Sequence, residues 1–139
     1  MDKIKIKVET EIELEKEDLI DILDTAVEGG IGYWACLDNT TPEWILARKE
    51  LKEAGRSNWT YGEVMYQVLI DGNKIKFEDA EDYDDDGNPI IYELDKTGFE
   101  NGIKMTIADK RWTGDPYDVD AEVADCIIQY GCFDDIVFG

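Results

Sequence analysis

The run from Lys3 to Glu15 constrains the fold more than any other stretch. Ile4, Ile6, Val8, Thr10, Ile12 and Leu14 fall on one side of an extended chain. Lys3, Lys5, Lys7, Glu9, Glu11, Glu13 and Glu15 fall on the other. A period of two sustained over this length predicts a half-buried β-strand with one wet face. The wet face is sorted by sign, lysines first and glutamates after. At about 3.3 Å per residue the strand is long enough to carry a bend or bulge.

Helical and extended signals then alternate. Leu19, Ile20, Ile22, Leu23, Ala26 and Val27 recur at helical spacing, and Gly29-Gly30 stops them. Ile31 to Leu37 is apolar and short, a buried strand or a tight loop. Thr40-Thr41-Pro42-Glu43 announces a helix by its threonine cap, first-turn proline and early glutamate, running to Gly55. Val64 to Ile70 predicts a strand, Asp71-Gly72-Asn73 a hairpin turn, and Ile75-Lys76-Phe77 the returning strand. Residues 82 to 88 predict a loop and Ile90 to Leu94 another strand. Phe99, Ile103 and Ile107 mark a helix weakened by Gly98 and Gly102. Asp118 or Asp120 caps a last helix that Gly131 ends, and Ile136-Val137-Phe138 closes the sheet. Residues 1–139 therefore predict a single acidic α+β domain: an antiparallel or mixed sheet of about five strands backed by about three to four helices.

Charge limits the partners. The chain has 34 acidic and 14 basic side chains, no histidine, and a net charge of -20 over 139 residues. Such a surface repels nucleic acid and anionic membranes, and attracts basic proteins or cations. A hydrophobic content of 43% separates it from acidic disordered tails, which lack the apolar surface to offset ordering entropy. No apolar run reaches the length of a membrane helix, and the N-terminus alternates instead of forming a signal core. Cys36, Cys126 and Cys132 form no Cys-x-x-Cys motif and predict buried free thiols in a reducing cytosol.

Two stretches, Ala26-Val27-Glu28-Gly29-Gly30-Ile31-Gly32-Tyr33-Trp34-Ala35 and Ala124-Asp125-Cys126-Ile127-Ile128-Gln129-Tyr130-Gly131, occur with Ile136-Val137-Phe138-Gly139 and the segment Asp71-Gly72 to Asp82. Together they resemble a family of small acidic proteins of phages and prophages of Gram-positive bacteria. The resemblance implies a phage context, in which small acidic proteins often inhibit host defence such as CRISPR or restriction systems. It brings no catalytic residues. Tyr83 to Pro89 looks like a local expansion.

Three groups of residues are candidate sites. Glu9, Glu11, Glu13 and Glu15 would recur about every 6.7 Å along a strand, a line of charge able to imitate a phosphate backbone. Asp18, Asp21, Asp24 and Glu28 would extend it. Glu78, Asp79, Glu81, Asp82, Asp84, Asp85 and Asp86 form the densest acidic cluster. Together these would bind a basic nucleic-acid-binding protein of the host; the bland alternative is a solvated polar face. Within the cluster, Asp82, Asp84, Asp86, Gly87 and Glu93 match the spacing of a calcium loop. Pro89 and the strand-like flanks depart from it. Ca2+ is the one cofactor the sequence suggests, beside the reading that it takes none. Finally, Tyr33, Trp34, Trp44, Trp59 and Arg48 would build a stacking pocket for a nucleotide signal, or else are core. Arg48, Arg56 and Arg111 are the natural phosphate ligands.

No enzyme is indicated. Without histidine there is no imidazole base or usual triad. Gly29-Gly30-Ile31-Gly32 follows a helix, so it lacks the strand-before, helix-after setting of a dinucleotide fingerprint. The expectation is a cytoplasmic, non-enzymatic binding protein with no direct contact to nucleic acid or membrane; a homo-oligomer is compatible with it.

Overall fold

A computed structural model describes residues 3–6 and 11–139. Its α-helices are α1 (Lys16–Thr25), α2 (Pro42–Glu53), α3 (Tyr61–Ile70), α4 (Lys96–Ala108) and α5 (Ala121–Phe133). Its strands are β1 (Ala35–Leu37), β2 (Ile75–Tyr83) and β3 (Pro89–Leu94), in the order β1-β2-β3 with both pairings antiparallel. The α+β class is as expected, but among the described residues three strands replace about five, and five α-helices replace the expected three to four, because Val64–Ile70 is helical.

Each missing strand has a physical reason. Residues 3–6 and 11–15 lie in no strand, because the sheet offers them no partner; residues 7–10, including Glu9, are outside the described residues. Val64 to Ile70 is helical because Thr60 and Glu63 form a capping box. The Thr60 hydroxyl accepts the Glu63 N–H at 3.2 Å, and the Glu63 carboxylate accepts the Thr60 N–H at 3.3 Å. Nucleation there overrides the β-branched run, and burial of Val64, Met65, Val68 and Leu69 holds the result. Asp71-Gly72-Asn73 consequently ends a helix instead of joining two strands. Ile136 to Phe138 forms no strand either, since its backbone is held by a side chain, Gln129.

The helices α2 and α5 start where the sequence predicts. Thr41 caps α2 by accepting the Trp44 N–H, and Asp120 caps α5 by accepting the Val123 N–H at 2.8 Å. Asp95 caps α4 in the same way through the Gly98 N–H. After α1 the chain widens into a π-helical turn, Ala26–Gly30. α5 does not end at Gly131 but at Phe133, with Asp134 in the left-handed region. It runs past because Gly131 lies against α4, where Gly98, Gly102 and Gly131 allow the two backbones to approach closely. The core between helices and sheet includes Ile22, Leu23, Met65, Phe77, Leu94 and Ile127.

The thiols divide. Cys36 is exposed, against expectation, because β1 is short and turns it outward; Cys126 is buried and Cys132 half-buried. Burial raises both of the latter, Cys132 to about 12, which leaves them poor nucleophiles.

Candidate functional site

The acidic cluster occupies one hairpin, made by the outer half of β2 and the start of β3. From Glu78 to Tyr83, β2 takes five residue steps while β3 takes two, so the chain bulges. Asp79 pins the bulge. Its carboxylate accepts the N–H groups of Glu81 at 2.9 Å and Asp82 at 2.8 Å, and the Tyr92 hydroxyl at 2.6 Å. The Tyr92 bond, then the two backbone donors, hold Asp79 below the usual carboxylate range. Burial, and secondarily Asp79, push the Tyr92 phenol up to about 12. At the turn, Asp84 accepts the N–H groups of Asp86 and Asn88, both at 2.9 Å, and Gly87 takes a positive φ.

Two of the seven acids are thus committed to shaping the hairpin. Glu78 is half-buried on the paired part of β2, while Glu81, Asp82, Asp85 and Asp86 are exposed. No lysine or arginine occurs between Lys76 and Lys96. The ion pairs among the described residues are Lys49–Glu53, Arg56–Glu63 and Lys74–Glu93, and none involves these four. The hairpin is a shaped, outward-facing and unneutralised anionic tip.

The same segment is not the helix–loop–helix of an EF-hand, since β2 and β3 flank it. Asp84 spends an oxygen on the turn, and Glu93 is paired with Lys74 at 3.2 Å. Asp82 and Asp86 stand exposed beside them, and among the described residues no three metal-ligating side chains gather.

Glu11, Glu13 and Glu15 do not form the regular row expected of a strand. They lie in irregular chain leading into α1, whose cap residue is Glu15. Nor do the helix carboxylates extend the row freely. Asp18 accepts the Glu15 N–H, and Asp24 accepts the Gly62 N–H at 2.6 Å, joining α1 to the start of α3.

The aromatic candidates split between two places. Trp44, Trp59 and Arg48 line one cleft of about 470 Å³ with Glu28, Tyr61 and Thr60. Trp44 is only 3% exposed, so it offers an edge, while the Arg48 guanidinium lies 5.6 Å from the centre of the Trp59 ring. Arg56 pairs with Glu63 at 2.5 Å and Arg111 donates to the Tyr130 hydroxyl, which leaves Arg48 as the cleft's cation.

Trp34 is 2% exposed and belongs to a separate core cluster, stacked on Phe138 at 4.9 Å between ring centres. Its indole N–H donates to Asp125 at 2.8 Å. The Asp125 carboxylate also accepts the Tyr33 hydroxyl at 2.5 Å and the Gln129 amide at 2.9 Å. Gln129 then accepts the N–H groups of Val137 and Phe138, which fixes the C-terminal segment over Trp34. Tyr33 and Trp34 are therefore part of a structural network, and sequence spacing alone could not separate them from Trp44 and Trp59. Tyr61, adjacent to Trp59 and Thr60 in the sequence, lines the cleft with them, whereas nothing in the sequence places Glu28 there.

No family model, curated protein or solved structure matches this chain.

Proposed function

We propose that this protein works by binding and not by catalysis: the β2–β3 hairpin docks on a cationic surface of another protein, of the kind that otherwise holds nucleic acid. The supporting observation is the hairpin tip, where four exposed acids stand on a turn shaped by Asp79 and Asp84, with no basic residue in the segment. Preset geometry lowers the ordering cost of binding, and concentrated charge accelerates encounter. Inhibition of a host defence enzyme is the narrower form of this proposal, and it rests on the phage resemblance alone.

The test uses a variant that neutralises the tip but spares its architecture: E81Q/D82N/D85N/D86N. Titrated against a panel of basic DNA-binding proteins in competition with duplex DNA, the wild type should displace DNA from at least one. The variant should associate about tenfold more slowly at low salt, a gap that closes as salt rises. Displacement by the variant at the wild-type rate would end the proposal.

A second reading, capture of a nucleotide, is favoured by the convergence of Trp44, Trp59, Tyr61 and Arg48 on one cleft. A base could stack on Trp59 once Arg48 swings to a phosphate, though Glu28 opposes the phosphate charge. Melting should rise with cyclic or ADP-ribose-derived nucleotides and the rise should vanish in Trp59→Ala. No shift at millimolar nucleotide would dismiss it.

A further inference from the structure

We propose that the N-terminal segment is the pairing edge of a homodimer, in which residues 3–5 of one copy lie antiparallel to residues 11–13 of a second. The segment has the composition of a strand, and its described residues, 3–6 and 11–15, pair with no strand. Its apolar side chains Ile4 and Ile6 are 86% and 78% exposed, and Ile12 is 43% exposed. Among the described residues the sheet is β1-β2-β3 and does not include it. A segment of alternating apolar and charged residues that no strand of the sheet pairs with, among the described residues, is a template for another chain.

The order of charges selects which chain. In an antiparallel pair of identical segments, Lys3 stands opposite Glu13, Ile4 opposite Ile12, and Lys5 opposite Glu11. The two-fold axis repeats each pair. Opposite charges facing across an antiparallel ladder stabilise it, and like charges destabilise it. A parallel pair would set lysine on lysine and glutamate on glutamate. A shift by one residue would turn the apolar side chains to the charged face. The intervening sequence, Lys7-Val8-Glu9-Thr10, keeps the same alternation. The sorting of sign along the run, lysines then glutamates, is what self-complementarity requires of a symmetric interface.

The fold also supplies a seat for the apolar side. Ile12, Leu14 and Leu19 form one wall of an open groove of about 430 Å³, and Ile103 and Ile107 of α4 form the other. Ile12 rests over Gly114, where a methyl group would come within 2.9 Å of it. With Ile4 of the second copy opposite Ile12, that side chain reaches the mouth of this groove. A two-stranded ribbon is marginal in water unless its apolar face is covered, and α4 of each copy provides the cover. The groove shares no residue with the hairpin, so dimerisation and partner binding are tested separately.

The experiment is sedimentation equilibrium of the full chain at about 0.15 M salt, where the mutual repulsion of two acidic copies is screened beyond about 8 Å. The wild type should be dimeric at tens of micromolar. K3E/K5E and E11K/E13K should each be monomeric, with dissociation constants raised at least tenfold. Mixed in equal amounts, the two variants should form a heterodimer, because every reversed charge then meets its opposite. Far-UV circular dichroism establishes that both remain folded. A monomeric wild type, variants that stay dimeric, or a mixture that stays monomeric would each overturn the proposal.

Discussion

Replacing Gly102 by alanine is expected to destabilise the protein by about 2 kcal/mol or more, even though alanine is the better helix former. In an isolated helix that exchange would gain about 1 kcal/mol. Here a Cβ at position 102 would sit 2.1 Å from the Ile127 carbonyl oxygen and 3.1 Å from the Gly131 nitrogen. Both are backbone atoms of α5, so no side chain can rotate away and the helices must separate. Overpacking of this kind costs about 1–3 kcal/mol and more where backbone is displaced, which outweighs the gain in propensity. Separation would also strip Thr106, fully buried one turn further along α4, of its packing. Gly32→Ala is the control, because nothing lies within 4 Å of a methyl group there. Urea denaturation should show a lower midpoint for Gly102→Ala with an unchanged slope, and no change for Gly32→Ala. Equal midpoints for wild type and Gly102→Ala would mean that the helices are not in close contact.

Gly98 and Gly102 show why parts of the fold were hidden in the sequence. Read along the chain they are helix weakeners; read across the α4–α5 interface they are the residues that let it form, and only the position of α5 distinguishes the two. Caps were legible because they act within three or four residues: Thr41 and Asp120 each accept a bond from the first turn that follows, and Asp95 caps α4 by the same local geometry although the sequence reading places no cap there. Thr60 and Glu63 carried the same local message, but the apolar run of Val64 to Ile70 has no period that separates helix from strand. The alternation of residues 4–14 predicts a strand, but a strand is defined by its partner, which the sequence of one chain does not supply. At the candidate site the acidic cluster was visible as composition. Its division into acids that build the hairpin, Asp79 and Asp84, and acids that face outward depended on where backbone N–H groups point. The total charge likewise concealed how many aspartates serve as acceptors for backbone N–H groups, among them Asp18, Asp24 and Asp38.

Asp125→Ala is expected to cost about 3 kcal/mol and to loosen the C-terminal segment. Among the described residues the carboxylate has no cation partner, so its burial carries a desolvation cost that its removal would relieve. Against that stand three donors, Tyr33, Trp34 and Gln129. Tyr33 is exposed and can turn to water, and Gln129 keeps its bond to the Phe138 carbonyl. The Trp34 indole N–H has neither recourse, and an unsatisfied buried donor costs about 1–3 kcal/mol before the loss of charge-assisted bonds is added. Asp125→Asn should be milder, at about 1 kcal/mol, because one oxygen remains and the Tyr33 hydroxyl can reverse to accept. The network also gives stability an alkaline dependence. Partial burial of its hydroxyl, and secondarily Asp125, raise the Tyr33 phenol to about 12, although the ring itself is exposed. Its folded value lies above its unfolded one, so this contribution is present in full below about pH 10 and is lost as pH rises through about 12. In Asp125→Ala the share due to the carboxylate disappears while the share due to burial stays. The difference in urea midpoint between wild type and variant should therefore be constant from pH 7 to about 10 and shrink above it. A difference that does not change with pH would mean that Tyr33 contributes nothing through Asp125. A variant more stable than the wild type at pH 7 would mean that desolvation outweighs the three bonds, and that the carboxylate serves a role other than stability.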